Sequence, residues 1–337
     1  MQAPSFWWRK VGIEAALLAP LSWAYGSVAQ RRMTRPGERA QVPVICIGNP
    51  TVGGAGKTPT ALAIADMLTQ HGHRPAILTR GYGGRLAGPV RVDATVHDAG
   101  DVGDEALLLA RRFPTVVSHD RAAGAREAHG QGATVIVMDD GFQNPSLLKD
   151  LSFLVVDGTR GVGNGKVVPA GPLRAPLPSQ LAAAQALLVV GDRSARSDAV
   201  ATRAEAAGLS VFRAALRPDE TVVAQLAGKR FLAFAGIGDP EKFFRTLAAV
   251  GIEAPVRRSF PDHHRYTADE ARRLLDDAAR ETLTLLTTEK DAARLTTHGP
   301  VGELARHART LPVTLAFAAP DDVARYVTER IAARSAP

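Results

Sequence analysis

One cysteine, Cys46, stands in 337 residues. A lone thiol forms no internal disulfide, so nothing ties the fold to an oxidising compartment. It also leaves no cysteine-rich metal cluster to build. Within an apolar run, Cys46 reads as a small buried hydrophobe. Long apolar stretches are equally scarce. Residues 11–29 come nearest to the roughly 20 apolar residues that a spanning helix needs, but Glu14, Pro20, Ser22 and Ser27 interrupt them. No internal repeat, low-complexity tract or nucleic-acid motif is visible, which argues against a nucleic-acid partner despite the net charge of +7. Mean hydropathy is −0.04, as in a globular chain, and the length suits two domains.

The positive charge is concentrated near the start. Arg9, Lys10, Arg31, Arg32, Arg35 and Arg39 outnumber Glu14 and Glu38 there, around "FWWRKVGIEAALLAPLSWAYGSVAQRR". A basic, tryptophan-bearing segment suits an anionic membrane surface. Leu17, Leu21, Ala24 and Val28 share one helical stripe, Leu18 and Tyr25 lie beside it, and Trp7, Trp8 and Trp23 suit the headgroup zone. The competing readings are a helix packed on the protein's own core, a spanning helix, and a signal peptide ending at Ser27-Val28-Ala29.

Short β-branched runs alternate with helical stretches along the chain, the mark of an α/β fold with parallel sheets. The pattern predicts strands at 44–47, 76–79, 115–118, 134–138, 153–156 and 187–190. Helices are expected after the glycine loop, near Asp104, near Asp120 and at 199–207. A second unit begins near residue 225, with Asp239-Pro240 opening one helix and a Thr267/Glu270 capping box another. The segments "LSVFRAAL" and "APVRRSF" are expected to pair as a two-stranded hinge. The predicted organisation is an interfacial helix (1–35), a parallel-sheet domain (36–222) and a smaller α/β domain (223–337). "GVGNGKVVPAGPLRAPLPSQ" reads as a long ordered loop suited to binding.

Chemistry concentrates at "VPVICIGNPTVGGAGKTPTALAIADML". A strand runs into a glycine loop and then a helix, the arrangement whose backbone N–H groups and helix N-terminus cradle phosphate. The usual G-x-x-x-x-G-K-[ST] pattern places glycine where Thr51 stands, a position that tolerates a small residue at negative φ. Thr51, Val52, Gly53, Gly54, Ala55, Gly56, Lys57 and Thr58 form the expected nucleotide loop. Lys57 is placed for the outer phosphates and Thr58 for Mg²⁺. A second strand ends in Asp139-Asp140, an acidic pair suited to Mg²⁺ and its waters. "TEKD" (288–291) has its lysine one place too late for a guanine-reading element, which favours ATP. The domain is thus expected to be P-loop NTPase-like.

Seven blocks in order, "GNPTVGGAGKTP", "LTRGYGG", "VGDEALLLA", "MDDGFQN", "PAGPLR", "FPDHHRY" and "TTEKDAARL", resemble the tetraacyldisaccharide 4′-kinase family. That resemblance implies transfer of the ATP γ-phosphate to the 4′-hydroxyl of a tetraacyldisaccharide 1-phosphate, giving lipid IVA in lipid A synthesis. It also implies work at the cytoplasmic face of the bacterial inner membrane on a glycolipid, with no obligate protein partner. By resemblance the proton acceptor is Asp104, partnered by His263 rather than its neighbour His264. Gln143 is expected to support the site, with Arg121 and Arg174 on the acceptor's phosphate and headgroup and Arg80 as a further candidate. Glu289, Lys290 and Asp291 match a family block, and the alternative expectation for them is only to stabilise the second domain or its hinge. The alternatives are another P-loop enzyme and a membrane-attached ATPase switch that phosphorylates no lipid.

Overall fold

The computed structural model describes residues 3–296 and 298–335. In chain order the strands are β1 (Val44–Gly48), β2 (Pro75–Thr79), β3 (Val90–Arg91), β4 (Thr115–Val117), β5 (Val135–Asp139), β6 (Leu151–Asp157) and β7 (Ala186–Val190). They continue with β8 (Ser210–Pro218), β9 (Arg230–Ala235), β10 (Glu253–Ser259), β11 (Thr284–Thr287), β12 (Arg309–Thr310) and β13 (Val313–Phe317). A large sheet runs β13-β8-β7-β6-β1-β5-β2-β4-β3, and a small one β10-β9-β11-β12. The large sheet is parallel from β8 to β4, with antiparallel β13 and β3 at its edges. The small sheet is parallel throughout.

The apolar runs explain this arrangement. Every residue of β1, β2, β5 and β7 is buried, as both-sided cover by helices demands of parallel strands. One face carries the helices Arg121–Gly130 and Ala195–Ala206, through Ala122, Ala125, Val200 and Ala204. The other carries Lys57–Gln70 and the final helix Pro320–Ser335, through Ile64, Leu68, Val323 and Val327. Strand β1 lies between β6 and β5, so the turns after β1 and β5 open side by side at the carboxyl edge of the sheet, where open α/β sheets bind ligands.

Two expectations need correction. "LSVFRAAL" does not pair with "APVRRSF". The first lies in β8, between β7 and β13; the second lies in β10, beside β9 in the small sheet. The two-stranded connection is instead β8 with β13, where the chain leaves the large sheet and returns to it. Consequently β13 and the final helix pack in the large domain's core, although the expected 223–337 unit had included them. Within that unit the predicted caps form: Asp239 accepts from Lys242 N–H, and Thr267 and Glu270 complete a reciprocal box.

The N-terminal helices, Ile13–Leu17 and Ala19–Met33, dock by their small residues. Ser22 donates to the Val167 carbonyl at 2.7 Å, and Gly26 faces Val167 and Pro176. The apolar side therefore points outward: Leu17 is 76% exposed, Leu21 62%, Trp23 77% and Val28 66%. Trp7 departs from the headgroup expectation. It is buried, and its indole N–H donates to the Pro169 carbonyl at 2.9 Å. Among the described residues, no helix is long and apolar enough to cross a membrane.

Candidate active site

The helix Lys57–Gln70 starts at Gly56, whose φ of 93° is open to glycine at little cost. Gly53 also has positive φ, and a Cβ at Gly53 or Gly54 would meet nothing within 4 Å. The space above the loop is open, as a phosphate group requires. Asn49 knits the loop's underside, donating to the carbonyls of Thr51 and Gly53 at 2.6 and 3.0 Å. The proline-rich loop locks its entrance: Val52 N–H donates to Pro172, and Arg174 N–H to Pro50, each at 2.8 Å. The "PAGPLR" and "GNPTV" blocks are thus backbone partners.

Beside the loop, Thr58 lies 3.3 Å from Asp139, which is fully buried. The other carboxylate oxygen of Asp139 has no partner. Burial, with Glu105 nearby, pushes its pKa up to about 7. An orphaned, desolvated carboxylate next to a threonine hydroxyl is what a hard cation would relieve, so this pair fits Mg²⁺. Among the described residues, no group of three His, Cys, Asp or Glu is placed to hold a metal by itself; phosphate oxygens and water would have to complete the shell. Asp140 is engaged differently. Arg174 grips it with two bonds of 2.8 and 3.2 Å, and Lys57 lies 3.8 Å away. Burial opposes its charge, but these cations hold its pKa below the ordinary value.

Across the cleft, two glycine blocks interlock. A Cβ at Gly103 would sit 2.4 Å from the Tyr82 carbonyl, and one at Gly84 2.6 Å from that of Asp101. This contact presents Asp104 at the start of the helix Asp104–Ala110, 5% exposed. The small domain meets it there. His263, at a φ of 56°, places Nδ1 3.2 Å from Asp104 Oδ2. Arg294 donates to the same oxygen from Nε at 2.6 Å. Burial works against the Asp104 charge, yet the His263 hydrogen bond and the Arg294 charge outweigh it and hold the carboxyl far below the usual range. His263 is shifted upward, chiefly by its bond to Asp104. Alongside, Lys290 of the small domain pairs with Glu105 at 2.5 Å. Lys57 acts electrostatically on both Glu105 and Asp139, and Glu105 on Asp139, so the loop and the Asp104 region form one charged cluster.

His264 turns away. Its Nε2 meets Glu270 at 2.9 Å within the capping box, and its ring stacks on Phe260. Gln143 supports the loop from below, donating to the Asn49 carbonyl and to Gln180, each at 2.9 Å. Arg121 is 2% exposed and bonds to the Ser118 carbonyl, and burial lowers its pKa to about 10; this buried position does not offer it to an incoming acceptor. Arg80 is exposed. Asn49, Glu105 and Arg294 were not identified from the sequence as site residues. The partners that place them in the site are loop backbone for Asn49, Lys290 for Glu105 and Asp104 for Arg294, the last two 185 and 190 residues away, and only the "GNP", "VGDE" and "TTEKDAARL" blocks marked them.

A parallel sheet with a glycine loop after β1, an acidic strand end beside it and a hydrogen-bonded Asp–His pair opposite is the arrangement of a P-loop phosphotransferase. The family model described as tetraacyldisaccharide-1-P 4′-kinase matches residues 14–332. Tetraacyldisaccharide 4′-kinase of Bradyrhizobium sp. (strain BTAi1 / ATCC BAA-1182) is 55% identical over 98% of this chain and 96% of its own. That of Methylobacterium nodulans is 54% identical over 95% and 93%. The crystal structure of LpxK from Aquifex aeolicus in complex with ATP superposes with a TM-score of 0.74 at 26% identity, covering 94% of this chain and 99% of that one. The chain belongs to the tetraacyldisaccharide 4′-kinase family, ATP-dependent kinases of lipid A biosynthesis.

Proposed function

We propose that residues 51–58 hold the triphosphate of ATP, with Lys57 on the outer phosphates, and that Asp104 and His263 receive the proton of the acceptor's 4′-hydroxyl. In that step the hydroxyl oxygen bonds to the γ-phosphorus while the bond to the β-phosphate oxygen breaks, its electron pair leaving with ADP. The hydroxyl proton passes to the Asp104–His263 pair. Thr58 and Asp139 would hold Mg²⁺, whose charge would offset that of the phosphates. Arg174 has a clear first task in holding Asp140 and the loop entrance; contact with the acceptor's headgroup is its second. The observation that carries this reading is the Asp104–His263 bond, made between domains beside an open phosphate loop.

The outward apolar face of the N-terminal helices, with Arg31 and Arg32 in its last turn, supports attachment to an anionic bilayer surface, where a tetraacylated acceptor resides. ATP as donor puts that surface on the cytoplasmic side of the inner membrane. No protein partner is needed. Purified protein given radiolabelled ATP and the detergent-dispersed disaccharide 1-phosphate tests the reading. Label should enter the lipid; release of inorganic phosphate without labelled lipid would instead support an ATPase switch.

A further inference from the structure

We propose that Arg294 is a positioning residue for proton transfer, a small-domain cation that keeps the Asp104–His263 pair ready to accept a proton. This rests on the role given to that pair above. Arg294 is reached only by closing the chain over 190 residues onto Asp104. Its guanidinium, 3% exposed, is shared among three partners: Asp104 Oδ2, Asp291 Oδ1 at 3.0 Å and the Gly236 carbonyl at 2.5 Å. Asp291 is wholly buried and receives further bonds from Gly236 N–H, Tyr266 O–H and Thr288 O–H. Its place is therefore fixed independently of Arg294.

The charges of this cluster do not cancel. Asp104 and Asp291 bring two negative charges, Arg294 one positive, and His263 is the neighbour that can supply the second. Glu105 and Lys290, next to Asp104, neutralise each other. Asp262, 3.9 Å from His263, adds a partly exposed negative charge. Buried charge is costly unless balanced. With His263 neutral the core of the cluster is one positive charge short, and a proton arriving from the acceptor removes the deficit. Without Arg294 the deficit doubles. His263 would then be protonated before any acceptor arrives, and the pair could take no further proton. Arg294 thus poises the imidazole between the two states. It also fixes the Asp104 rotamer: Oδ2 is held by Arg294 and His263, and Oδ1 accepts from Glu105 N–H at 3.0 Å.

The test compares Arg294→Met and Arg294→Lys with wild type, measuring kcat, the KM for ATP, the acidic limb of the pH profile and Tm. Arg294→Met should lower kcat at neutral pH by about thirtyfold or more, with the KM for ATP changed less than about twofold. Its acidic limb should move up by about one pH unit, and Arg294→Lys should fall between the two on both measures. If Arg294→Met does not fold, Arg294→Lys decides alone: a lowered kcat with a displaced limb supports the proposal. Rates that follow Tm while the limb stays put overturn it, as does wild-type behaviour. Asp104→Asn separates the two levels. If it retains wild-type turnover, the proton-acceptor reading fails. If it is slow while the Arg294 variants are normal, only the role of Arg294 fails. In an Asp104→Asn background, Arg294→Met should slow turnover no further than about twofold.

Discussion

The two sides of the cleft are built by different means. At the phosphate loop, β1, its turn and the start of the next helix deliver consecutive residues, and the acidic pair arrives on β5, the strand hydrogen-bonded to β1. At Asp104, one short helix of the large domain meets two segments of the small domain, one carrying His263 and the other Lys290 and Arg294. The first side is fixed by sheet register and forms whenever the large domain folds. The second exists only while the domains are in contact. If the two sides have the roles proposed above, phosphate binding should survive changes that abolish proton transfer, and a substitution at either side should report which one it touched.

The sharpest way to break this comparison is at the adjacent histidines. His263→Ala should lower kcat by about 10²-fold or more, because a positioned proton acceptor supplies that much, with Tm little changed. His264→Ala should leave kcat within about twofold and cost stability by about 1–2 kcal/mol, the scale of a lost hydrogen bond and ring contact. Steady-state kinetics and thermal unfolding on both variants would sink the assignment if the two effects were exchanged. The pH behaviour of His263 sharpens it further. Its pKa is raised in the folded protein, so its contribution to stability is fully present below about pH 6.5 and fades as pH rises through the folded value. Activity needs the neutral ring and moves the other way, rising over the same window.

The next effect belongs to the loop side. Asp139 titrates near 7 instead of at its ordinary value of 3.8, so in the free protein its ionisation opposes folding increasingly from about pH 4 to 7. Mg²⁺ with nucleotide should reverse this. The gain in Tm on adding them should be larger at pH 8 than at pH 5.5, and Asp139→Asn should flatten the difference. Equal gains at both pH values would remove the cation from this position.

A smaller effect is expected on the outward apolar face of the N-terminal helices. Leu17→Asp with Leu21→Asp and Val28→Asp should weaken sedimentation with anionic vesicles by about tenfold or more, while turnover of detergent-dispersed acceptor stays within about twofold. Unchanged vesicle binding would mean that this face is not the attachment surface. The smallest effect concerns a second set of interdomain ion pairs, Arg160–Asp239 at 2.5 Å and Lys242–Asp157 at 3.2 Å. They are half-exposed, so Arg160→Ala should cost less than about 1 kcal/mol and diminish further with added salt. A large, salt-resistant loss in thermal unfolding would show that these pairs hold the domains together.

Legibility follows the same division. The strands expected at 44–47, 76–79, 153–156 and 187–190 lie within observed strands, because a buried parallel strand must be a continuous apolar run. The caps at Asp239 and Thr267 were equally readable, since each depends on residues three apart. The β8–β13 pairing was not. Both segments are half-buried, and nothing local says which will meet. Trp7 shows the same limit: the aromatic ring was visible, but not that Pro169 would offer its carbonyl.

By itself the sequence determined the alternating α/β elements, the glycine loop with Lys57 and Thr58, and the family. Those depend on neighbouring residues, whose steric and hydrogen-bonding preferences act locally. The tertiary structure decided that His263 and not His264 faces Asp104, that Arg294 lies against the same carboxylate, and that β13 returns to the large sheet. These are contacts between segments distant along the chain, and they are selected by the charge balance and packing of whole domains.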